Sequence, residues 1–349
     1  VRSSGIFLEE GFDSQMWGFD LQLESSLHLG KLTYGVDYYS DHVDSQRTDF
    51  NADGSIDQIR IQGPVGNDAT FDQFGLYIQN DIDLSERLGL SLGGRFSYIE
   101  ADIGAYEDPA SGAAASFENG WSNFSASARI TYDLTGEDQV KTFAGVSQSF
   151  RAPNLADLSR FGGSRSDEVE TAAVSLEPET FLTFEVGLKA ETERFRGSLS
   201  LYRTQIQDFI TSTPTGNTIG GLREVTKLNS ASGFIQGIEA GFDYRLKHGL
   251  SVFGNFSWAE GQSDVFLSSG SPVSTREPLS RVQPIIGTGG LRWDSPDETY
   301  WIEVSASLAG RADKLSSNDL SNTQRIPHGG KPGTRVTSVE AGCEVNDTT

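Results

Sequence analysis

The stretch DFNADGSIDQIR at residues 49–60 spaces oxygen-bearing side chains as a hard cation requires. Asp49, Asn51, Asp53 and Asp57 fall at positions 1, 3, 5 and 9 of a calcium-loop pattern, and Gly54 supplies the sharp turn at position 6. Position 12, which a bidentate Glu should fill, is Arg60. The same spacing also suits an ordinary Asx-rich turn, whose side chains bond their own backbone. Calcium is therefore one of two readings of this segment.

A second group is Arg151, Arg160 and Arg165. A guanidinium fork matches the oxygens of a carboxylate or catecholate ligand, so these three could hold an anionic guest. Asp157, Asp167, Glu168 and Glu170 lie close by in sequence and offer the alternative of local ion pairs. No catalytic constellation emerges. The four His residues (His28, His42, His248, His328) are scattered along the chain, and no arrangement of nucleophile, base and orienting group is in view. GTGG at 287–290 lies inside a strand pattern with no helix after it, so it is not a phosphate loop. Cys343 is the sole cysteine, which excludes an internal disulfide and a cysteine metal cluster, and its place on an apolar face reads as inert packing. With 27 Lys and Arg against 49 Asp and Glu, the chain lacks the clustered cations that a nucleic-acid partner needs.

The elements that must position these residues are strands. In LEPETFLTFEVGLKAE (176–191), Leu182, Phe184, Val186, Leu188 and Ala190 alternate with Thr183, Glu185, Gly187 and Lys189. Period two gives one apolar and one charged face. Similar patterns predict about thirteen strands, near 14–28, 31–42, 70–84, 88–101, 120–134, 139–151, 180–192, 195–211, 229–246, 250–261, 281–294, 299–310 and 334–345. Short connections (at 28, 85, 135, 192, 247 and 295) alternate strictly with long ones (43–69, 102–119, 152–179, 212–228, 262–280 and 311–333). All tight turns therefore fall at one end of the sheet and all long loops at the other, which is the pattern of an outer-membrane barrel. A soluble sandwich mixes its loop lengths. The negative mean hydropathy does not oppose a membrane, because a barrel hides its apolar band in alternate positions.

The aromatic residues sort the same way. Tyr132, Tyr244, Trp293 and Tyr300 at the short-turn end, and Trp17, Tyr98 and Phe150 near the long-loop end, share the parity of their strands' apolar faces. That is the expected pair of interfacial girdles. The opposite faces carry Asp20, Glu24, Asp81, Asp83, Arg95, Arg129, Asp133, Glu185, Lys189, Glu239, Asp243, Arg245 and Glu303, charges that belong in a wet or plugged lumen rather than a dry core.

Specific words reinforce this. TFAGVSQSFRAPNLADL (142–158), with Phe150, Arg151, Ala152 and Pro153, resembles the strand and loop start around the FRAP motif of TonB-dependent outer-membrane receptors. LEPETFLTFEVGLKA resembles the strand that follows. The ordered series continues through FRGSLSLYRTQIQDFI, SGFIQGIEAGFDYRL, REPLSRVQP and QRIPHGGKPG, and begins earlier with TFDQFGLYIQNDIDLSERLGLSLGGRF. Nearly the whole chain is covered in family order.

The resemblance implies an all-β, antiparallel up-and-down transmembrane barrel, of which residues 1–349 would be a partial domain, about thirteen of roughly 22 strands. It implies a bacterial outer-membrane location and uptake of a scarce nutrient, a ferric siderophore or similar metal chelate, with cobalamin as the alternative. Lipid, the metal chelate and TonB are the implied partners, TonB acting through an N-terminal plug region expected to lie outside these residues. The first and last barrel strands are also expected to lie outside them. No cofactor is implied beyond calcium in the 49–57 turn, as in loops of some cobalamin receptors. Haem receptors of the family carry an axial His in the loop after FRAP. Residues 152–179 hold none, and His42 and His328 read as solvated. A passive porin or an adhesin barrel without TonB coupling is the competing reading.

Overall fold

The computed structural model describes residues 7–28, 30–164, 167–229, 232–266, 268 and 273–343. Arg165 lies outside the described residues. In chain order the first strands are β1 (Phe7–Leu27), β2 (Gly30–Phe50), β3 (Ile56–Ile59), β4 (Asn67–Ser85), β5 (Leu88–Glu107), β6 (Ala114–Asp133) and β7 (Val140–Arg151). A short helix α1 (Leu155–Ser159) precedes β8 (Gly162–Gly163), β9 (Glu168–Glu170), β10 (Glu179–Glu191), β11 (Phe195–Gln207), β12 (Ile210–Ile219), β13 (Leu222–Asn229) and β14 (Ser232–Arg245). Then come β15 (Leu250–Phe266), β16 (Ser274–Pro278), β17 (Ile286–Asp294), β18 (Tyr300–Ala309), helix α2 (Ser317–Ser321) and β19 (Thr334–Cys343).

One antiparallel sheet forms the wall. Its order is β1-β2-β4-β5-β6-β7-β10-β11-β14-β15-β17-β18-β19, with β3 and β16 as side branches on β2 and β15. Those thirteen wall strands are the ones expected from alternation, in up-and-down order. The register keeps the two faces apart. Phe184 lies opposite Val146, and Val186 opposite both Ala144 and Leu201, so the apolar residues form one continuous outer surface. Leu182, Phe184, Val186 and Leu188 are all exposed, as are Leu199, Leu201, Phe242, Leu291, Ile302 and Val304 on neighbouring strands. The inner surface carries ion pairs instead: Arg95 to Asp37 at 2.7 Å and Arg129 to Glu185 at 2.8 Å.

The girdle residues Trp17, Tyr98, Tyr132, Tyr244, Trp293 and Tyr300 are exposed on the outer surface. Phe150 departs from that set. β6 pairs with β7 only over Ser127–Asp133, so above Ser147 the wall splays and the Phe150 ring packs against a buried inner cluster. Cys343 is exposed rather than packed, at the end of β19, which among the described residues has a pairing partner on one side only.

The long connections contain more structure than apolar alternation shows. β2 runs on to Phe50, β3 takes Ile56–Ile59 and β4 starts at Asn67, so about half of the loop expected at 43–69 is strand. In that extension Val43, Ser45, Arg47 and Asp49 are buried alternately, a period of two written mostly in polar residues. The loop expected at 102–119 shrinks to a turn between the extended β5 and β6. β12 and β13 form a hairpin within the expected 212–228 loop and join β9 and β8 in a second, four-stranded sheet. β17 begins at Ile286 rather than near 281, after Pro284, which has no N–H to give a ladder.

Candidate functional site

The residues of chemical interest gather at the long-loop end, where the chain after β7 turns inward. Helix α1 starts with a capping box: the Asn154 side chain accepts from the Asp157 N–H at 2.8 Å and the Asp157 carboxylate accepts from the Asn154 N–H. Leu155 and Leu158 are buried against Ala101, Ile103, Val43 and Trp121 in the upper lumen. Gln62 Nε2 donates to the Ser159 carbonyl at 2.6 Å, and the Gly66 N–H donates to Ser159 Oγ at 2.8 Å. A Cβ on Gly66 would lie 2.3 Å from Ile103 Cγ2, so only glycine allows this approach. The loop after the FRAP residues is thus fixed to the barrel rim from two sides.

Charges complete the fastening. Arg151 donates to Glu179 Oε2 at 2.7 Å and to Asp157 Oδ2 at 2.6 Å, while Glu179 Oε1 accepts from the Ile210 N–H. Lys227 Nζ lies 2.6 Å from Asp157 and 3.5 Å from Glu170, and Arg160 lies 3.6 Å from Glu170. Arg223 pairs with the buried Glu168. Burial pushes the Asp157 carboxyl up, but Lys227 and Arg151 together outweigh it and hold it below the usual carboxylate range. Burial acts likewise on Glu224, where bonds from Thr215, Asn217 and Thr171 prevail and keep its pKa low. The structure therefore brings Arg151 and Arg160 into one node built of acids, including Asp157 and Glu170 from the sequence reading. Lys227 and the second sheet were not visible in sequence, because strand pairing of β9 with β13 sets them there, and Glu179 arrives opposite Arg151 through the pairing of β10 with β7.

In the 49–57 turn, β3 folds back on β2 and places Thr48 opposite Ile59, so position 12 of the calcium pattern comes to rest beside position 1. Arg60 Nε donates to Asp49 Oδ2 at 2.8 Å and Arg47 Nε to Asp49 Oδ1 at 2.8 Å. Burial raises the Asp49 pKa, and the two guanidinium groups more than reverse it. Asp53 accepts from the Ser55 N–H and hydroxyl, and Asn51 donates to Ser55 Oγ. Asp57 is exposed. The four side chains are thus spread over an Asx turn and an ion-paired hairpin base. A different trio, His42, Asp44 and Asp68, has donor atoms within 4.8 Å of one another, all on exposed residues. His328 lies on the exposed loop before β19.

The fold has known counterparts. Solved structures that match include the copper transporter OprC (TM-score 0.76, 17% identity, 97% of this chain and 50% of that one). The siderophore receptor PiuA from Acinetobacter baumannii matches with a TM-score of 0.70 and 14% identity over 99% of this chain and 52% of that one. The FrpB iron transporter from Neisseria meningitidis matches at 0.69 and 14%, over 96% and 49%. The chain spans about half the length of these structures. No curated protein matches it. The family model described as TonB dependent receptor-like, beta-barrel matches residues 3–339. Barrels of that family lie in the outer membrane of Gram-negative bacteria, as the outward apolar band and its girdles require. With its thirteen-strand wall in family order, this chain belongs to the TonB-dependent receptor β-barrel family.

Proposed function

We propose that this chain is the barrel-wall portion of a receptor that carries a scarce nutrient across the outer membrane, and that the nutrient is a ferric siderophore or similar metal chelate. The observation that carries the reading is the family match over residues 3–339. The charge-lined inner wall supports it, since a polar lumen suits a plug or a hydrated guest better than a dry core. In this reading the long loops capture the chelate, a plug fills the lumen, and TonB supplies the energy. In this reading the protein is a transporter rather than an enzyme. Arg151 and Arg160 act in capture mainly by holding the α1 loop in shape, and the exposed part of each guanidinium is free to meet an anionic ligand.

The test is made in the producing bacterium. Iron limitation should raise expression of the gene, and deleting it should abolish uptake of a radiolabelled ferric siderophore that the wild type takes up, with the same loss on inactivating TonB. Induction by cobalamin starvation instead would refute the iron preference. Uptake that persists without TonB would favour a passive pore.

A further inference from the structure

β15 meets two partners on one edge and leaves an interval between them. Leu250–Ser257 pair with β17 and Gln262–Phe266 pair with β16. Among the described residues, Trp258–Gly261 have no ladder partner on that edge, apart from the Leu279 N–H donated to the Gly261 carbonyl. The wall is therefore interrupted for four residues. The segment 278–285 and the loop between β18 and β19 close over the interruption, and the loop is held there by Lys314 to Glu260 at 2.7 Å and Ser280 to Asp319 at 2.6 Å. Between them lies a cavity of about 680 Å³, within the range that holds a small molecule.

Its lining reverses the charge of the chain. Acids outnumber bases 49 to 27 overall, yet here five cations, Arg281, Arg311, Lys314, Arg325 and Lys331, face three acids. Those acids are largely spent. Glu260 holds Lys314, and Asp319 is buried and occupied by Ser280 and the Ser316 cap. Asp313 lies 3.9 Å from Arg311. Among the described residues no carboxylate is within ion-pair reach of Arg281, Arg325 or Lys331. Trp258, Leu279, Ile285 and Ile326 supply an apolar floor. Three unpaired cations over such a floor match a ligand with clustered negative oxygens and an apolar body.

We propose that this interrupted stretch of wall is a binding site for an anionic amphiphile bearing phosphate or carboxylate groups, held by Arg281, Arg325 and Lys331. The same chemistry is offered by a free anion reaching the cavity from outside and by the head group of a membrane lipid. The site stands apart from the α1 node, so it does not depend on the chelate-uptake reading.

The test uses the full-length receptor purified in detergent, as wild type, as the double variant Arg281→Gln/Arg325→Gln, and as Lys247→Gln on the opposite rim. Calorimetry with inorganic pyrophosphate reads the free-anion source. Thermal stability in bilayers of phosphatidylcholine with and without phosphatidylglycerol reads the lipid source. Pyrophosphate binding that falls at least tenfold in the double variant, weakens with salt and is unchanged in Lys247→Gln supports the proposal with a free anion. A phosphatidylglycerol-dependent stabilisation lost only in the double variant supports it with a lipid. If neither probe distinguishes wild type from a double variant with a native circular dichroism spectrum, the proposal is wrong. If the double variant is misfolded, the single variant Lys331→Gln is read by the same two probes, and its equality with wild type overturns the proposal.

Discussion

Asp157 illustrates how much a single carboxylate decides at the rim. It caps α1, accepts from Arg151 and pairs with Lys227, all while buried. Its pKa is held below the usual range, so the unfolded loop binds a proton more readily than the folded one. The stabilisation is therefore complete above the unfolded value of about 3.9 and is lost as pH falls through the lower folded value. Hydrogen exchange of the α1 amides should be flat from neutral pH to about 4 and then accelerate, after correction for intrinsic rates. Asp157→Asn should weaken the loop by about 1–3 kcal/mol, because it leaves Lys227 and Arg151 less well paired, and should remove that acid dependence. The node was half legible. Arg151, Asp157 and Glu170 stand close enough in sequence to expect pairing, whereas Lys227 comes from 70 residues away through a sheet of short strands, one of them the Thr-rich β12, that shows no sustained apolar period. A second residue-scale expectation concerns the calcium pattern. Arg60 sits where the bidentate Glu belongs and pairs with Asp49. Arg60→Glu removes one of the two guanidinium groups held by Asp49 and completes the oxygen set, so it should bind calcium at least tenfold more tightly than the natural chain in a calorimetric titration, and equal affinities would dismiss the turn as a latent site.

At the scale of the element, β10 shows why the wall was readable. Val186 is exposed on the outer face while Glu185, one residue away, accepts from Arg129 and Ser200 inside. A charge placed at Val186 meets hydrocarbon. Val186→Arg should cost about 2–4 kcal/mol in folding into a bilayer, whereas Glu185→Gln, which keeps an acceptor in a polar lumen, should cost about 1 kcal/mol or less. Urea titrations in lipid vesicles would separate them, and similar losses for both would mean that the faces are assigned the wrong way round. Alternation is a poor guide where burial is polar. The upper half of β2 buries Ser45, Arg47 and Asp49 in turn, and the strand is held by bonds such as the Ser45 N–H to Asn67 Oδ1 at 2.8 Å rather than by apolar contact. Hydrophobic pattern cannot mark such a strand, but the polar alternation with β-branched neighbours can.

The molecule presents an apolar outer band and a sheet whose terminal strands β1 and β19, among the described residues, each pair on one side. Both features oppose life in water. Phe19, Leu21 and Leu23 of β1 and Val339 of β19 are exposed beside unpaired backbone edges, and an exposed, long, apolar edge is a template for association. Detergent can cover the band, yet it cannot supply hydrogen-bond partners to the two edges. The isolated chain should therefore precipitate without detergent and, with it, should remain dispersed as oligomers through edge-to-edge pairing. The test is light scattering coupled to size exclusion. A detergent-free monomer would contradict the membrane assignment of the outer face. A detergent-solubilised monomer would show that the edges are closed or covered by some other means, because β1 offers 21 residues of ladder that only another strand can satisfy.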